Sequence, residues 1–157
     1  MANFKKFDYG TTLKMLRHDF RECGSYSSNV DEERTRENLN GGPTKNYREA
    51  VDRLKEYLDV VPHSNRKDLI TSVGYVVSCP AILNTKQEQK EFFAIALRDL
   101  KDRVGEDKIL CSVVHYDEPD CLPHLQCLIL PIVETKQNET GYKFSGKEFL
   151  SRQFLRN

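Results

Sequence analysis

The sequence lacks the features of a membrane or secreted protein. Its 157 residues contain no apolar run near the roughly 20 residues that a membrane-spanning helix requires. Lys5 and Lys6, near the N-terminus, are not followed by the apolar stretch of a signal peptide. We therefore expect a cytoplasmic protein with no membrane partner. A chain of this length predicts a single domain over residues 1–157.

The cysteine patterns of zinc sites and of disulfide-rich domains are also missing. The five cysteines are odd in number, and no two of them have the C-x-x-C spacing that zinc sites use. These features argue against a structural zinc ion and against a disulfide framework. Cys111 and Cys127 lie within apolar runs, where a free thiol usually packs as a small apolar side chain.

The excess of positive charge that is usual in nucleic-acid-binding domains is absent. Lys plus Arg and Asp plus Glu both number 24, so the formal net charge is +0. Any binding of nucleic acid would therefore depend on a local basic face, or on parts of a longer protein. The sequence also has no internal repeat and no low-complexity tract.

What the sequence does contain is an alternation of helix and strand patterns. Apolar residues at helical spacing predict helices over residues 11–22, 46–60, 86–103 and 145–155. Alternating or β-branched stretches predict strands over residues 2–7, 72–79, 108–116 and 124–130, and residues 23–45 read as a long polar loop. In the third helix we expect Phe93, Ile95 and Leu100 to be buried. The order of elements favours an α/β (α+β) fold in which helices flank a central, mostly antiparallel β-sheet.

The first predicted helix has a polar face. At about 100° per residue, Lys14, His18 and Arg21 fall on the side opposite the apolar positions. Lys14 and Arg21 could contact phosphate groups, Arg through paired hydrogen bonds and Lys as a point charge. The simpler interpretation is a solvated helical face.

Two predicted strands bring metal-binding side chains together. Side chains alternate between the faces of a strand, so His124 and Gln126 share a face. If the two strands pair as antiparallel neighbours, His115 lies across from both. Glu118, in the connecting loop, could supply a carboxylate or orient a histidine. The pattern predicts Mn²⁺ or Mg²⁺ bound by His115, His124 and Gln126, although polar residues at a sheet edge are the alternative interpretation.

These residues lie in stretches that resemble a known family. VHYDE at residues 114–118 and PHLQ at residues 123–126 resemble the metal motif of the MobV-type (Mob/Pre) plasmid mobilisation relaxases, H-x-D-E followed by P-H-x-H. HDFR at residues 18–21 is similar to the family's H-N-x-R motif. Residues 38–40, 65–68 and 144–149 resemble its H-L-N-Y, N-R-x-x-R-K-D and S-x-K-x-[LM]-F segments. The resemblance spans nearly the whole chain and places it in the HUH endonuclease group.

The resemblance implies a function. Such a relaxase nicks one DNA strand at an origin of transfer and keeps one end covalently attached to the protein. His18 would be the nucleophile, with Arg21 and Glu118 also in the catalytic site and Mn²⁺ or Mg²⁺ as cofactor. The partner would be single-stranded or hairpin DNA. The candidate DNA contacts are Lys14, Arg21, Asn40, Arg66, Lys67 and Lys147.

Family members generally continue into a C-terminal helical region that is used in dimerisation. We expect this chain to lack that region, so any homodimer would form through residues outside it.

The sequence departs from the family's motifs at three places. The gap between Glu118 and Pro123 is two residues longer, which a loop can absorb. Gln126 stands where the family has histidine, as in some replication initiators. Asp19 stands where the family has asparagine, and we expect it to orient the His18 ring.

These departures leave two alternatives open. One is a rolling-circle replication initiator whose nucleophile is a tyrosine, and Tyr9, Tyr26 and Tyr47 all occur near the loop region. The other is a DNA-binding protein whose catalytic site has decayed.

Overall fold

The structure, a computed structural model, describes residues 2–22 and 29–153. A five-stranded sheet organises them. Its strands are β1 (Ala2–Asp8), β2 (Leu39–Asn40), β3 (Ile70–Ser78), β4 (Ile109–His115) and β5 (His124–Ile129). They lie in the order β1-β3-β5-β4-β2, and every neighbouring pair is antiparallel. A separate hairpin consists of β6 (Ile132–Glu134) and β7 (Tyr142–Phe144).

The described residues also contain four α-helices, which are α1 (Tyr9–Asp19), α2 (Tyr47–Val60), α3 (Lys86–Val104) and α4 (Gly146–Gln153). The first three begin at side chains that accept a hydrogen bond from the first turn, namely those of Asp8, Asn46 and Thr85. Short 3₁₀ helices, Glu32–Glu37 and Glu106–Lys108, precede β2 and β4. An antiparallel sheet with flanking helices confirms the predicted fold class.

Both faces of the central strands are buried, each by a different pair of helices. On one face, the core contains Leu16 of α1, Ala50 and Leu54 of α2, and Cys111 and Leu128 of the sheet. On the other face, it contains Phe93 and Leu100 of α3, Phe149 of α4, and Val73 and Ile129 of the sheet. All seven residues of β4 are buried. This two-sided apolar burial fixes the positions of the strand ends.

The loop from residue 116 to residue 123 lies at the edge of the sheet where β4 ends and β5 begins. His115, Glu118 and His124 therefore sit at one end of a rigid sheet. None of the helices in the described part of the chain combines the length and the apolar character needed to cross a bilayer.

The predicted boundaries differ most at the first helix, which ends at Asp19 rather than at residue 22. The N–H groups of Glu22 and Arg21 donate to the carbonyl oxygens of Arg17 and His18 at 2.9 and 3.2 Å, which closes the helix as a Schellman motif. The described part of the predicted loop 23–45 contains a 3₁₀ helix and β2.

The burial predicted for Ile95 is wrong, since this side chain is 60% exposed. Ile95 follows the buried Phe93 by two residues, which at about 100° per residue places it on the opposite, solvent side of α3.

Gly42 lies against the backbone of β4. A Cβ atom at Gly42 would lie 2.7 Å from the backbone nitrogen of Ser112, so the strand would have to move. We expect Gly42→Ala to lower the free energy of unfolding by about 1–3 kcal/mol, as overpacking does. Gly10→Ala in α1 is the control, because its Cβ would meet nothing within 4 Å and alanine favours helix. Chemical denaturation compares the two variants, and equal stabilities would contradict the close contact.

Candidate metal centre and active site

His115 and His124 face each other across β4 and β5. The strands pair in a register that joins His115 to His124 and Val113 to Gln126. The centroids of the two imidazole rings are 5.5 Å apart, and both side chains are buried. Gln126 follows His124 by two residues and so shares its face of β5. The predicted strand pairing is confirmed, and it places the three predicted metal ligands on one face of two neighbouring strands.

Each imidazole is held at Nδ1 and directs Nε2 elsewhere. The Nδ1–H of His124 donates to the carbonyl oxygen of Leu122 at 3.0 Å, so its Nε2 carries a lone pair. On His115, Nδ1 lies 3.4 Å from Asn38 Nδ2 and 3.7 Å from Asp117 Oδ1. His115 Nε2 is buried and has no hydrogen-bond partner within residues 2–22 and 29–153. His124 is oriented as metal-binding histidines are, by donation from Nδ1 to a backbone carbonyl oxygen.

Arg21 links the end of α1 to the residues that follow β4. Its Nε and Nη2 atoms donate to the two carboxylate oxygens of Asp117 at 2.8 and 2.7 Å, and Nη2 also donates to Glu118 Oε1 at 2.8 Å. All three side chains are buried. Asp117 accepts two more hydrogen bonds, from Asn38 Nδ2 and Thr35 Oγ1, each at 2.9 Å. The acceptor sites of Asp117 are therefore well filled.

These contacts set the charges of Arg21, Asp117 and Glu118. Burial raises the pKa of Asp117, but its hydrogen bonds, led by the one from Arg21, outweigh burial and hold that pKa well below its usual range. Contacts with His18 and Arg21 lower the pKa of Glu118 from 4.5 to about 2, against the effect of burial. Burial lowers the pKa of Arg21, but its two carboxylate partners raise it more. Both carboxylates and the guanidinium are charged at neutral pH.

The structure corrects the expectation that Arg21 contacts DNA from the polar face of a helix. Arg21 lies beyond α1 with φ 54°, a left-handed conformation that costs a non-glycine residue roughly 1–2 kcal/mol. Its guanidinium points into the protein, where Asp117, Glu118 and the carbonyl oxygen of His18 accept its hydrogen bonds. Arg21 is thus placed to position the site rather than to bind phosphate.

His18 is more exposed to solvent than Arg21, Asp117 and Glu118, which lie beside it. Its side chain is 34% exposed, its Nε2 lies 3.5 Å from Glu118 Oε1, and its ring centroid is 5.8 Å from that of His115. The other oxygen of Glu118, Oε2, lies 3.6 Å from His124 Nε2. Glu118 therefore lies between an exposed imidazole and a buried one. Lys14 is exposed one turn before His18 on the same side of α1.

Asp19 contacts His115 and not His18, which corrects the expectation from the sequence. Successive residues of a helix point about 100° apart, so Asp19 is turned away from the His18 ring and into the protein. Its Oδ1 lies 3.6 Å from His115 Nε2, and its Oδ2 lies 3.6 Å from Cys111 Sγ. Burial, reinforced by the Asp19 charge, raises the pKa of the Cys111 thiol.

Asn40, a predicted DNA contact, shapes the turn that follows β2. Its Nδ2 donates to the carbonyl oxygen of Thr44 at 2.8 Å, and its Oδ1 accepts from the Gly42 N–H at 3.0 Å. Both ends of the amide are therefore engaged within the protein, which gives a DNA contact by Asn40 no support.

Three further predicted DNA contacts lie away from the histidines. Arg66 and Lys67 precede β3, whose last residue pairs with His124, so the length of β3, about 26 Å, separates them from that residue. Arg66 also pairs with Asp68 at 2.7 Å. Lys147 is exposed at the start of α4, where the preceding glycine packs on Ile70, at the same distant end of β3. If Arg66, Lys67 or Lys147 contacts DNA, the contacted nucleotides lie far from the DNA bound beside His115 and His124.

The tyrosines predicted as alternative nucleophiles are placed differently from His18. Tyr9 begins α1, roughly 13 Å along the helix axis from His18. The Tyr47 ring packs on the guanidinium of Arg17, with 4.8 Å between Cζ and the ring centroid. Tyr26 lies outside the described residues.

Thr35 and Asn38, which donate hydrogen bonds to Asp117, were not identified in the sequence. Asn38 accepts a hydrogen bond from the Tyr116 N–H at 2.8 Å and donates to Asp117 at 2.9 Å, so it fixes the chain where β4 ends. Asn38 and Asp117 are 79 residues apart, and no local pattern links them. The one available signal was the resemblance of residues 38–40 to the H-L-N-Y segment, within which the prediction selected Asn40.

The donors at the site fit a hard divalent cation. Ligand atoms of His115, Asp117 and Glu118 lie within 4.8 Å of one another. Because Arg21 and two further donors already occupy Asp117, it is suited to holding the other ligands in place. Gln126 Oε1, by contrast, is buried without a hydrogen-bond partner in the described part of the chain. Imidazole nitrogens combined with carboxylate and carboxamide oxygens suit Mn²⁺ or Mg²⁺.

Removing the Arg21 charge would leave Asp117 and Glu118 buried side by side. We expect Arg21→Met to lower the free energy of unfolding at neutral pH by about 3–5 kcal/mol, the usual loss when one partner of a buried ion pair is removed. The loss should shrink as the pH falls, because protonation relieves the unpaired carboxylates of the variant. In the wild type, Glu118 stabilises fully above its ordinary pKa of 4.5 and loses this effect only as the pH falls towards 2. Urea denaturation at neutral and mildly acidic pH measures both losses.

The control is Arg66→Met. The Arg66 side chain is 75% exposed, and ion pairs of such residues contribute about 0–1 kcal/mol. Equal losses at the two positions, or a loss at Arg21 that does not change with pH, would contradict the role given to Arg21.

Comparison with known proteins shows the family of the chain. The sequence model of the Mob_Pre family, plasmid recombination enzyme, matches residues 1–155. A curated plasmid recombination enzyme of Bacillus thuringiensis is 25% identical over 159 residues, which cover 98% of this chain and 35% of the relative. The chain thus spans about a third of the length of that relative.

Solved structures share the fold. Two Mn-bound crystal structures of the MobM relaxase domain (MOBV; Mob_Pre) with plasmid pMV158 oriT DNA, at pH 6.8 and pH 5.5, match with TM-scores of 0.76 and 0.78. Their sequences are 21% and 20% identical, and each match covers 99% of this chain and 78% of the MobM chain. The family match over nearly all of the sequence confirms the resemblance seen in the motifs, and the chain belongs to the Mob_Pre family of plasmid recombination enzymes.

Proposed function

We propose that this chain is a metal-dependent relaxase domain that nicks one DNA strand at an origin of transfer. One DNA end stays covalently attached to the protein until the strand is rejoined. The observation that carries this proposal is the position of His18, a partly exposed imidazole beside Glu118, whose second oxygen faces the buried histidine pair. Membership of the plasmid recombination family supports it, as does the fold shared with MobM domains bound to oriT DNA.

The metal ligands in this proposal are His115 Nε2, His124 Nε2 and Gln126 Oε1. These residues would hold a divalent cation, which would polarise the scissile phosphate and neutralise charge that develops in the transition state. The Gln126 oxygen is a harder donor than an imidazole nitrogen, which favours Mn²⁺ or Mg²⁺ over softer ions. Asp117 Oδ1 lies 3.7 Å from His115 Nδ1, on the side of the ring away from the ligand nitrogen.

His18 is the nucleophile in this proposal. Its Nε2 lies 3.5 Å from Glu118 Oε1, and Arg21 Nη1 lies 3.2 Å from Nε2 and 3.4 Å from Nδ1, so both partners hold the ring whose nitrogen attacks phosphorus. A nitrogen–phosphorus bond forms, the phosphorus–oxygen bond to one sugar breaks, and the leaving sugar oxygen takes a proton from water. Glu118 stabilises the positive charge that the ring acquires. Attack by a sugar hydroxyl on the phosphorus reverses these steps and rejoins the strand.

Lys14 is the DNA contact in this proposal, because it lies beside His18 on α1. It is exposed one helical turn from His18, where it can approach a phosphate next to the scissile one. Single-stranded DNA is the substrate class that fits this proposal. A nucleophile at a sheet edge reaches an unpaired DNA strand more readily than a strand that is paired in a duplex.

The nucleophile is tested with single-stranded oligonucleotides from the origin of the plasmid or element that encodes the chain. In the presence of Mn²⁺, we expect an adduct of protein and DNA that survives denaturation and that EDTA prevents. His18→Ala should abolish the adduct and leave Mn²⁺ binding unchanged. Gel electrophoresis under denaturing conditions measures the adduct.

Tyr47→Phe and Tyr9→Phe are the matched controls and should form the adduct at the wild-type level. An adduct that survives His18→Ala but disappears in a tyrosine variant would support a replication initiator instead. A wild type that binds origin DNA but forms no adduct with any origin strand would favour the DNA-binding protein whose catalytic site has decayed.

The DNA contact of Lys14 is tested by salt dependence. Loss of one phosphate contact reduces the slope of log Kobs against log salt concentration by about 0.7 for single-stranded DNA. We expect this change in Lys14→Ala and none in Lys55→Ala, since Lys55 is an exposed lysine of α2. Fluorescence anisotropy over a series of salt concentrations gives both slopes, and equal slopes would remove Lys14 from the binding surface.

A further inference from the structure

Three of the buried polar atoms without a hydrogen-bond partner among the described residues lie close together. They are Asp19 Oδ1, His115 Nε2 and Gln126 Oε1. The first two atoms are 3.6 Å apart, and their side chains are 1% and 0% exposed. Asp19 and Gln126 line the same cavity of about 240 Å³, which lies between α1 and the sheet. Carboxylate and carboxamide oxygens and an imidazole nitrogen can each bind a cation through a lone pair.

Among the described residues, the Asp19 carboxylate has no ion pair with a lysine or arginine, and its recorded partner is His115, which is a cation only when its ring is protonated. Its Oδ2 contacts Cys111 Sγ at 3.6 Å, and a thiol is only a weak hydrogen-bond donor. Arg21 is turned towards Asp117 and Glu118. A buried carboxylate without a balancing charge strongly destabilises a fold. The position of Asp19 therefore calls for a positive charge at Oδ1, which either a protonated His115 ring or a bound metal ion supplies.

The distance between Asp19 Oδ1 and His115 Nε2 is informative about that cation. At 3.6 Å it exceeds the roughly 3.2 Å limit of an N–H···O hydrogen bond. Two ligands that each lie about 2.1 Å from one ion can be at most roughly 4.2 Å apart, so the observed spacing suits a shared ion.

We propose that Asp19 is a direct ligand of the divalent cation, bound together with His115. This inference rests on the metal centre of the proposed function, but not on its DNA chemistry. Asp19 supplies the negative charge, and Gln126 adds a neutral oxygen from the other side of the cavity. The site is thereby specific for hard divalent cations, and the two departures from the family's motifs, Asp19 and Gln126, form one ligand set.

The inference is tested by Mn²⁺ binding to the whole chain without DNA. Electron paramagnetic resonance measures free Mn²⁺ during a titration of the wild type and of Asp19→Asn. We expect the variant to bind Mn²⁺ at least about tenfold more weakly, because the charged ligand is lost. Asp99→Asn is the control and should bind as the wild type does, because Asp99 is exposed on α3 and pairs with Arg103.

Stability in EDTA separates loss of a ligand from damage to the fold. If Asp19 is a ligand, Asp19→Asn removes an unbalanced buried charge and is at least as stable as the wild type without metal. If the variant unfolds in EDTA, a Mn²⁺-soaked crystal of the wild type decides. An Asp19 oxygen within about 2.4 Å of the ion supports the inference, and an oxygen beyond hydrogen-bond distance overturns it.

A second substitution distinguishes a ligand from a residue that only orients His115. Gln126→His adds an imidazole to the same cavity, so it should restore most of the Mn²⁺ affinity that Asp19→Asn loses. A residue that only orients His115 would not be replaced in this way, and failure of the rescue would overturn the inference. Equal Mn²⁺ binding by the wild type and Asp19→Asn overturns the role of Asp19 alone, whereas absence of Mn²⁺ binding by the wild type overturns the proposed metal centre as well.

Discussion

The ion pairs of Arg21 with Asp117 and Glu118 hold the end of α1 against the end of β4. The Schellman motif favours the left-handed backbone of Arg21, and the ion pairs direct its guanidinium so that His18 keeps a fixed relation to the histidine pair. Because the guanidinium binds both carboxylates, one side chain sets the place of the exposed imidazole and of the carboxylate beside it. The arrangement is local, but it depends on two strands that are rigid because both of their faces are buried.

The buried charges at this end of the sheet do not cancel. Three buried carboxylates lie there, those of Asp19, Asp117 and Glu118. Arg21 supplies one positive charge, which pairs with Asp117 and Glu118. A formal net charge of +0 for the whole chain conceals this local excess of negative charge. A divalent cation between the histidines would balance it, and it would also let a DNA phosphate approach a site that otherwise repels it.

Much of the site follows from the sequence because it depends on the period-2 alternation of strands. That alternation places His115, His124 and Gln126 on one face once the strands pair. The role of Arg21 does not follow, because the carboxylates that accept hydrogen bonds from its guanidinium lie 96 and 97 residues away. The contacts of Asn38 are equally non-local. Asp19 shows a third limit, since a helix boundary misplaced by three residues hides which neighbours each side chain meets.

His115 and His124 binding the same divalent ion is the feature on which the proposed chemistry depends. Pulsed electron paramagnetic resonance of Mn²⁺ bound to protein with ¹⁵N-labelled histidine detects nitrogens that are bonded directly to the ion. We expect two coupled imidazole nitrogens in the wild type. Each of the variants His115→Ala and His124→Ala should show one. Bound Mn²⁺ with no coupling to histidine nitrogen would show that the ion lies elsewhere, and would contradict the metal centre itself.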